Sequence, residues 1–224
     1  MLKSITKNAV FVTSIFICSN LLRAEDINLI VLAGQSNMQG WQGNAEKYPA
    51  DPTEIDKKIK FYWVTPNHSN SDGKWTFMQP QGGRFPKGHF GPEVTFARQL
   101  AIEENNLAIF KYSLGSTSKA NEKKKPGKKG MYDQMLTELK TAVKILQEQG
   151  HKVTIKGFVW IQGESDAQTK ALADGYRERL KLLVDDFINN VAKNKTLPII
   201  LGVDEQHPFI KQNEQVVEAQ IDLA

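Results

Sequence analysis

Ile27-Asn28-Leu29-Ile30-Val31-Leu32-Ala33 runs directly into Gly34-Gln35-Ser36-Asn37-Met38-Gln39-Gly40. The first half is a near-continuous apolar run, the pattern of a buried strand. The second half is a small polar turn bracketed by glycines, with the Ser36 hydroxyl at its centre. Ligands of parallel α/β sheets bind at the carboxyl ends of the strands. The junction therefore predicts a buried strand that delivers Ser36 to a binding edge, where a nucleophile can work.

Further strand-like runs lie at 59–64, 107–112, 153–161 and 197–203. Helical patterns alternate with the later ones. Gly91-Pro92-Glu93 precedes Val94, Ala97, Leu100 and Ala101, with proline in the first turn and an acid facing the helix dipole. Met135, Leu139, Ala142, Val143 and Leu146 keep helical spacing up to Gly150, and Leu172, Tyr176, Leu180, Leu183, Phe187 and Val191 do the same. Strands alternating with helices imply parallel βαβ units with right-handed crossovers. The expected fold is a three-layer α/β/α sandwich around a mainly parallel, flavodoxin-like sheet. Residues 65–90 break this rhythm: a long polar loop holding Trp75, Phe77, Phe85 and Phe90, which reads as an ordered flap.

Residues 1–24 read as a secretory signal: Lys3 and Lys7, an apolar stretch from Ala9 to Cys18, then Leu22-Arg23-Ala24 before Glu25-Asp26. The apolar part is too short for a membrane span, so no stable membrane association is expected. Residues 25–224 form one domain, long enough to bury its own core. Cys18 is the only cysteine, so this domain has none and relies on packing, as suits a periplasmic or extracellular protein. Without Lys3, Lys7 and Arg23 the formal charge of +4 falls to +1, which gives no reason to expect a nucleic-acid partner.

Three segments end strands at what should be one edge of the sheet. They are Gly34-Gln35-Ser36-Asn37-Met38, Lys111-Tyr112-Ser113-Leu114-Gly115-Ser116-Thr117 and Phe158-Val159-Trp160-Ile161-Gln162-Gly163-Glu164-Ser165-Asp166. Acyl transfer needs a nucleophile and donors aimed at the oxygen that becomes negative. Ser36 offers its hydroxyl and N–H, Gly115 an N–H unhindered by a Cβ, and Gln162 a side-chain amide. Taken singly, each has an ordinary explanation in turn chemistry or a buried amide. Glu164 and Asp166, two apart after a strand, read as helix caps or as braces for the Ser36 loop; a glycosidase pair is the sharper alternative.

These segments together resemble the SGNH hydrolase superfamily, in its sialate O-acetylesterase and acetylxylan esterase branch (carbohydrate esterase family 6-like). The resemblance spans about Ile27 to Ala224 and includes Gly91-Pro92-Glu93. It implies Ser36 as nucleophile, Gly115 as oxyanion donor, and Gln162 where other members have asparagine. It implies removal of acetyl groups from carbohydrate hydroxyls, with no metal or organic cofactor. Lys119, Lys123, Lys124, Lys125, Lys128 and Lys129 form either a solvated loop or a lip favouring acidic glycans.

A serine nucleophile needs a base. The resemblance implies an Asp-x-x-His segment following a further strand, and the helix-like Gln215–Ala224 matches the element before it. The expectation is a sheet lacking its last strand, and reduced activity. Asp204-Glu205-Gln206-His207 has the same spacing but comes one strand–helix unit early, so it is a weaker substitute dyad; His68, His89 and His151 lie in the flap or at a helix end. The alternative function is a non-catalytic glycan-binding protein, a degenerate esterase.

Overall fold

The computed structural model describes residues 24–66, 68–115 and 130–224. Residues 1–23 of the predicted signal and the lysine-rich stretch 119–129 lie outside them. The junction folds as β1 (Asp26–Gly34) followed by the one-turn helix α1 (Ser36–Gln39). The predicted strands appear as β2 (Lys60–Thr65), β5 (Leu107–Ser113), β6 (Lys152–Ile161) and β7 (Ile199–Gly202), all parallel to β1. Two short strands within the flap, β3 (Ser69–Asn70) and β4 (Thr76–Phe77), pair antiparallel with β2.

The sheet runs β3-β2-β5-β1-β6-β7, with β4 also on β2. Setting β2 aside, the remaining parallel strands keep the start of the flavodoxin order, 2-1-3-4. The chain leaves β1 toward β5 on one side and later returns to β6 on its other side. β1 is therefore the switch point, and its carboxyl end is where such sheets leave a crevice.

β1 is buried on both faces, which explains its unbroken apolar pattern. Ile27, Leu29, Val31 and Ala33 face a large core with α3 (Met131–Glu148), α5 (Tyr176–Asp186) and α7 (Gln215–Leu223). Ile30 and Leu32 face a smaller core with Met38 and with Val94 and Ala97 of α2 (Glu93–Glu103). The helical pattern over Leu172–Val191 is broken rather than continuous. It divides into α4 (Lys170–Asp174), α5 and a π-helical turn at Phe187–Ala192, with Gly175 at the first break. A Cβ at Gly175 would lie 2.4 Å from the Arg179 guanidinium, so the break makes room for that side chain. A further short helix, α6 (Pro208–Gln212), follows β7.

Candidate active site

The register sets the three segments level. Gly34 lies opposite Ser113 of β5 on one side and Ile161 of β6 on the other. Ser36, Gly115 and Gly163 each come two residues beyond these partners, and Gln162 comes one. Two backbone bonds tie the strand ends together, Gln35 N–H to Ile161 O (3.0 Å) and Leu114 N–H to Gly34 O (3.1 Å). Gly34 has φ +155°, and a Cβ there would meet the Ile161 carbonyl at 2.0 Å; only glycine allows this approach. A Cβ on Gly115 would stand 3.4 Å from Gln39 Oε1, so Gly115 passes against α1.

The turn that holds Ser36 closes tightly. Gly40 caps α1 at φ 84°, and a Cβ there would lie 2.0 Å from Phe90 O. Glu164 braces the turn from below: Oε2 accepts from Gln35 Nε2 (2.5 Å), and Oε1 from Asn37 Nδ2 (2.5 Å) and the Asp204 N–H (3.0 Å). One carboxylate thus holds the residues on either side of Ser36 and the start of the loop after β7. Glu164 acts as a brace for the Ser36 turn. Asp166 does the same for Gln162, accepting from its Nε2 (2.5 Å) while Arg179 Nη2 reaches the other oxygen (3.2 Å). Both acids are buried and engaged, which leaves neither to act on a sugar as a glycosidase would need.

Gln162 is buried, and its amide donates to Asp166 and, at a long 3.4 Å, to Gln35 Oε1. Its backbone carbonyl accepts from Tyr176 OH (2.7 Å) and Gln220 Nε2 (2.8 Å), which pins this segment to α5 and α7.

A second polar cluster, not foreseen from the sequence, lies under α1. Lys111 Nζ donates to Glu93 Oε2 (2.6 Å) and to Gln39 O (3.2 Å), and neither charged side chain has any exposed surface. Glu93 Oε1 also accepts from Gln81 Nε2 (2.6 Å) and the Gly91 N–H (2.8 Å). A buried charge is tolerable only when so paired. Burial draws the Lys111 pKa down while Glu93 opposes it. The pair closes the carboxyl end of the helix carrying Ser36. The lysine inside an apolar strand was the available signal.

The four histidines are placed as follows. His68 is exposed, edge-on to Trp41 at 6.4 Å. His89 is fully buried, and burial together with the Lys111 charge pushes its pKa down to about 4. His151 sits before β6, at the far end of the sheet, beside Glu25 (3.9 Å). His207 caps α6, its Nδ1 accepting the Phe209 N–H (3.3 Å), while Asp204 Oδ1 accepts the Gln206 N–H (3.0 Å). Asp204 and His207 thus spend these acceptor atoms on local backbone, and among the described residues no hydrogen bond joins their side chains. Nor does a histidine bond the Ser36 hydroxyl among those residues.

The described residues contain no helix long and apolar enough to cross a membrane. They also show no group of three His, Cys, Asp or Glu side chains placed to hold a metal ion.

A mainly parallel α/β/α sheet with the small polar turn of Ser36 at its switch point matches an SGNH-like α/β fold. The family model for carbohydrate esterases described as sialic acid-specific acetylesterases matches residues 26–224, and the chain belongs to that family. It is a carboxylic ester hydrolase that acts on acetylated carbohydrate. Among solved structures, a protein from Arabidopsis thaliana superposes with a TM-score of 0.65 at 21% identity, over 88% of this chain and 82% of that one. NanS superposes at 0.59 and 15% identity, over 89% of this chain and 74% of its own. At such identities the likeness is one of fold. No curated protein matches the chain by sequence.

Proposed function

We propose that the chain removes O-acetyl groups from sialic acid or from a plant or algal polysaccharide through an acyl-enzyme on Ser36. The hydroxyl adds to the acetyl carbonyl, and the sugar oxygen leaves with a proton. Water then attacks the acyl-serine and releases acetate. The developing oxyanion is held by the backbone N–H groups of Ser36 and Gly115. The Gln162 amide joins them by turning the hydrogen that it shares weakly with Gln35, at 3.4 Å, toward the substrate. Each donor is worth about 10²–10³ in rate.

The observation that carries this reading is the common level of the three strand ends about the switch strand. A serine hydroxyl without a base works slowly, and oxyanion donors and binding alone leave about 10³–10⁴ over water. The absence of a histidine on the Ser36 hydroxyl among the described residues favours a second reading, a glycan-binding protein that turns over poorly.

Acetate release from acetylated sugars and from p-nitrophenyl acetate separates the two. Turnover that falls to background in Ser36→Ala supports the esterase. Turnover equal in wild type and Ser36→Ala, with glycan still retained, supports the binder. The leader pattern of residues 1–24 supports export to the periplasm or the medium; a full-length amino terminus on protein found in the cytoplasm alone would refute that.

A further inference from the structure

We propose that Arg84 is the anchor for the carboxylate of an acidic sugar ring, seated beside the acetyl group presented to Ser36; the inference rests on Ser36 being the nucleophile. Trp41 comes just after the Gly40 cap of α1, and its N–H donates to Ser36 O at 3.1 Å. Arg84 Nη1 donates to the carbonyl of that same Trp41 at 2.9 Å. The guanidinium carbon lies 4.4 Å from the centre of the Trp41 ring and 5.3 Å from that of Phe85. Two hydrogen bonds through Trp41, one from the Arg84 side chain and one from the Trp41 N–H, thus link the fork to the candidate nucleophile's own carbonyl.

A guanidinium over an aromatic ring is by itself common surface packing. Three further observations make this one a binding group. Arg84 is exposed and has no carboxylate partner among the described residues, while its neighbours are rings and a neutral carbonyl. Among the described residues its charge is therefore uncompensated, and only one of its five N–H donors is used.

Its loop is also fixed at the base. Gln81 and His89, both fully buried, exchange two backbone bonds of 2.8 Å, and Gly88 O accepts the Ala45 N–H at 3.0 Å. The tip carrying Arg84 thus stands on a rigid stem, and stacking holds the fork in place before any ligand arrives. Such preorganisation lowers the entropy lost on binding. Finally, residues 80–88, Lys87 among them, curve round an open concavity of about 560 Å³. That volume is of the order used for small-molecule sites. A carboxylate matches the fork bidentately.

The test is binding to the Ser36→Ala protein, which does not depend on turnover. Methyl glucuronoside and a methyl sialoside are titrated by NMR against methyl glucoside, which lacks the acid. Either acid should bind at least tenfold more tightly than the neutral ring, and the tighter of the two names the source. Arg84→Ala and Arg84→Gln should lose about 10- to 100-fold on the acid, as for a charge-assisted contact, and under threefold on the glucoside. Arg84→Lys, which keeps the charge but not the fork, should fall between. Equal binding of acid and neutral rings, or acid binding that survives Arg84→Gln, would overturn the assignment. Failure of the esterase reading would appear only in the separate turnover assay.

Discussion

Glu164 shows how one buried carboxylate can set the position of a neighbour it does not touch. Its two oxygens hold Gln35 and Asn37, so the backbone of Ser36 is fixed from both sides. Replacing it with glutamine turns one acceptor into a donor facing another donor. Glu164→Gln should therefore lower kcat about 10- to 100-fold with KM nearly unchanged, and reduce stability by about 1.5–3 kcal/mol. Steady-state kinetics together with urea denaturation check both numbers. At this scale the meeting of the three segments was legible: an apolar strand running into a glycine-bracketed serine, a second strand leading to Gly115, and a third leading to Gln162. What stayed hidden was how side-chain atoms are shared. Nothing in Gln-Gly-Glu-Ser-Asp says that the Gln162 amide spends itself on Asp166. Neither Trp41 nor Arg84 carried a local signal, because their stacking is made by two loops distant in sequence.

At the scale of elements, α1 is a single turn and cannot persist on its own. It is held at its start by Gln35 and Glu164 and at its end by the Lys111–Glu93 pair and Gly40. The acid of Gly91-Pro92-Glu93 was expected to face the dipole of α2; it also neutralises a lysine on β5. The flap's aromatics divide as well: Trp75 anchors to Ala142 O of α3 (2.8 Å), whereas Phe85 faces Arg84. The flap stem holds His89 with neither ring nitrogen hydrogen-bonded among the described residues, and the residue favours its neutral form. Its pKa is about 4 when folded and about 6.5 when unfolded. Between those values the unfolded chain binds a proton that the folded one refuses. The contribution is thus whole above pH 6.5 and is lost as pH falls toward 4, by at most about 3 kcal/mol. Urea midpoints at pH 7, 5.5 and 4.5 should fall less steeply in His89→Phe than in wild type; parallel curves would show that His89 does not titrate this way.

For the whole molecule, the two faces of the sheet are unequally covered. One packs against α3, α5 and α7, while the other has α2, and beside it an apolar groove of about 320 Å³ lined by residues such as Ile30, Phe96, Leu100, Val159 and Ile200. β7 is the last strand on that side among the described residues, and Ile200 on it is 49% exposed. Exposed apolar edges promote association. Ile200→Lys should lower self-association in sedimentation velocity at high concentration, with stability changed by about 0.5 kcal/mol or less. The layer architecture and the parallel sheet were legible from strand–helix alternation. The outer place of β2 was not, because strand order depends on crossovers rather than on any local pattern.

The central position of β1 also has a consequence for the life of the chain before it works. Gln35 meets Gln162 across 127 positions of sequence, and the Ser36 turn is shaped by contacts from both flanking strands. Closing such distant pairings is slow. While the polypeptide is being made, the Ser36 turn therefore lacks its β6 contacts until that strand has been synthesised. A chain built this way completes its serine turn only once synthesis has passed the third strand of the site.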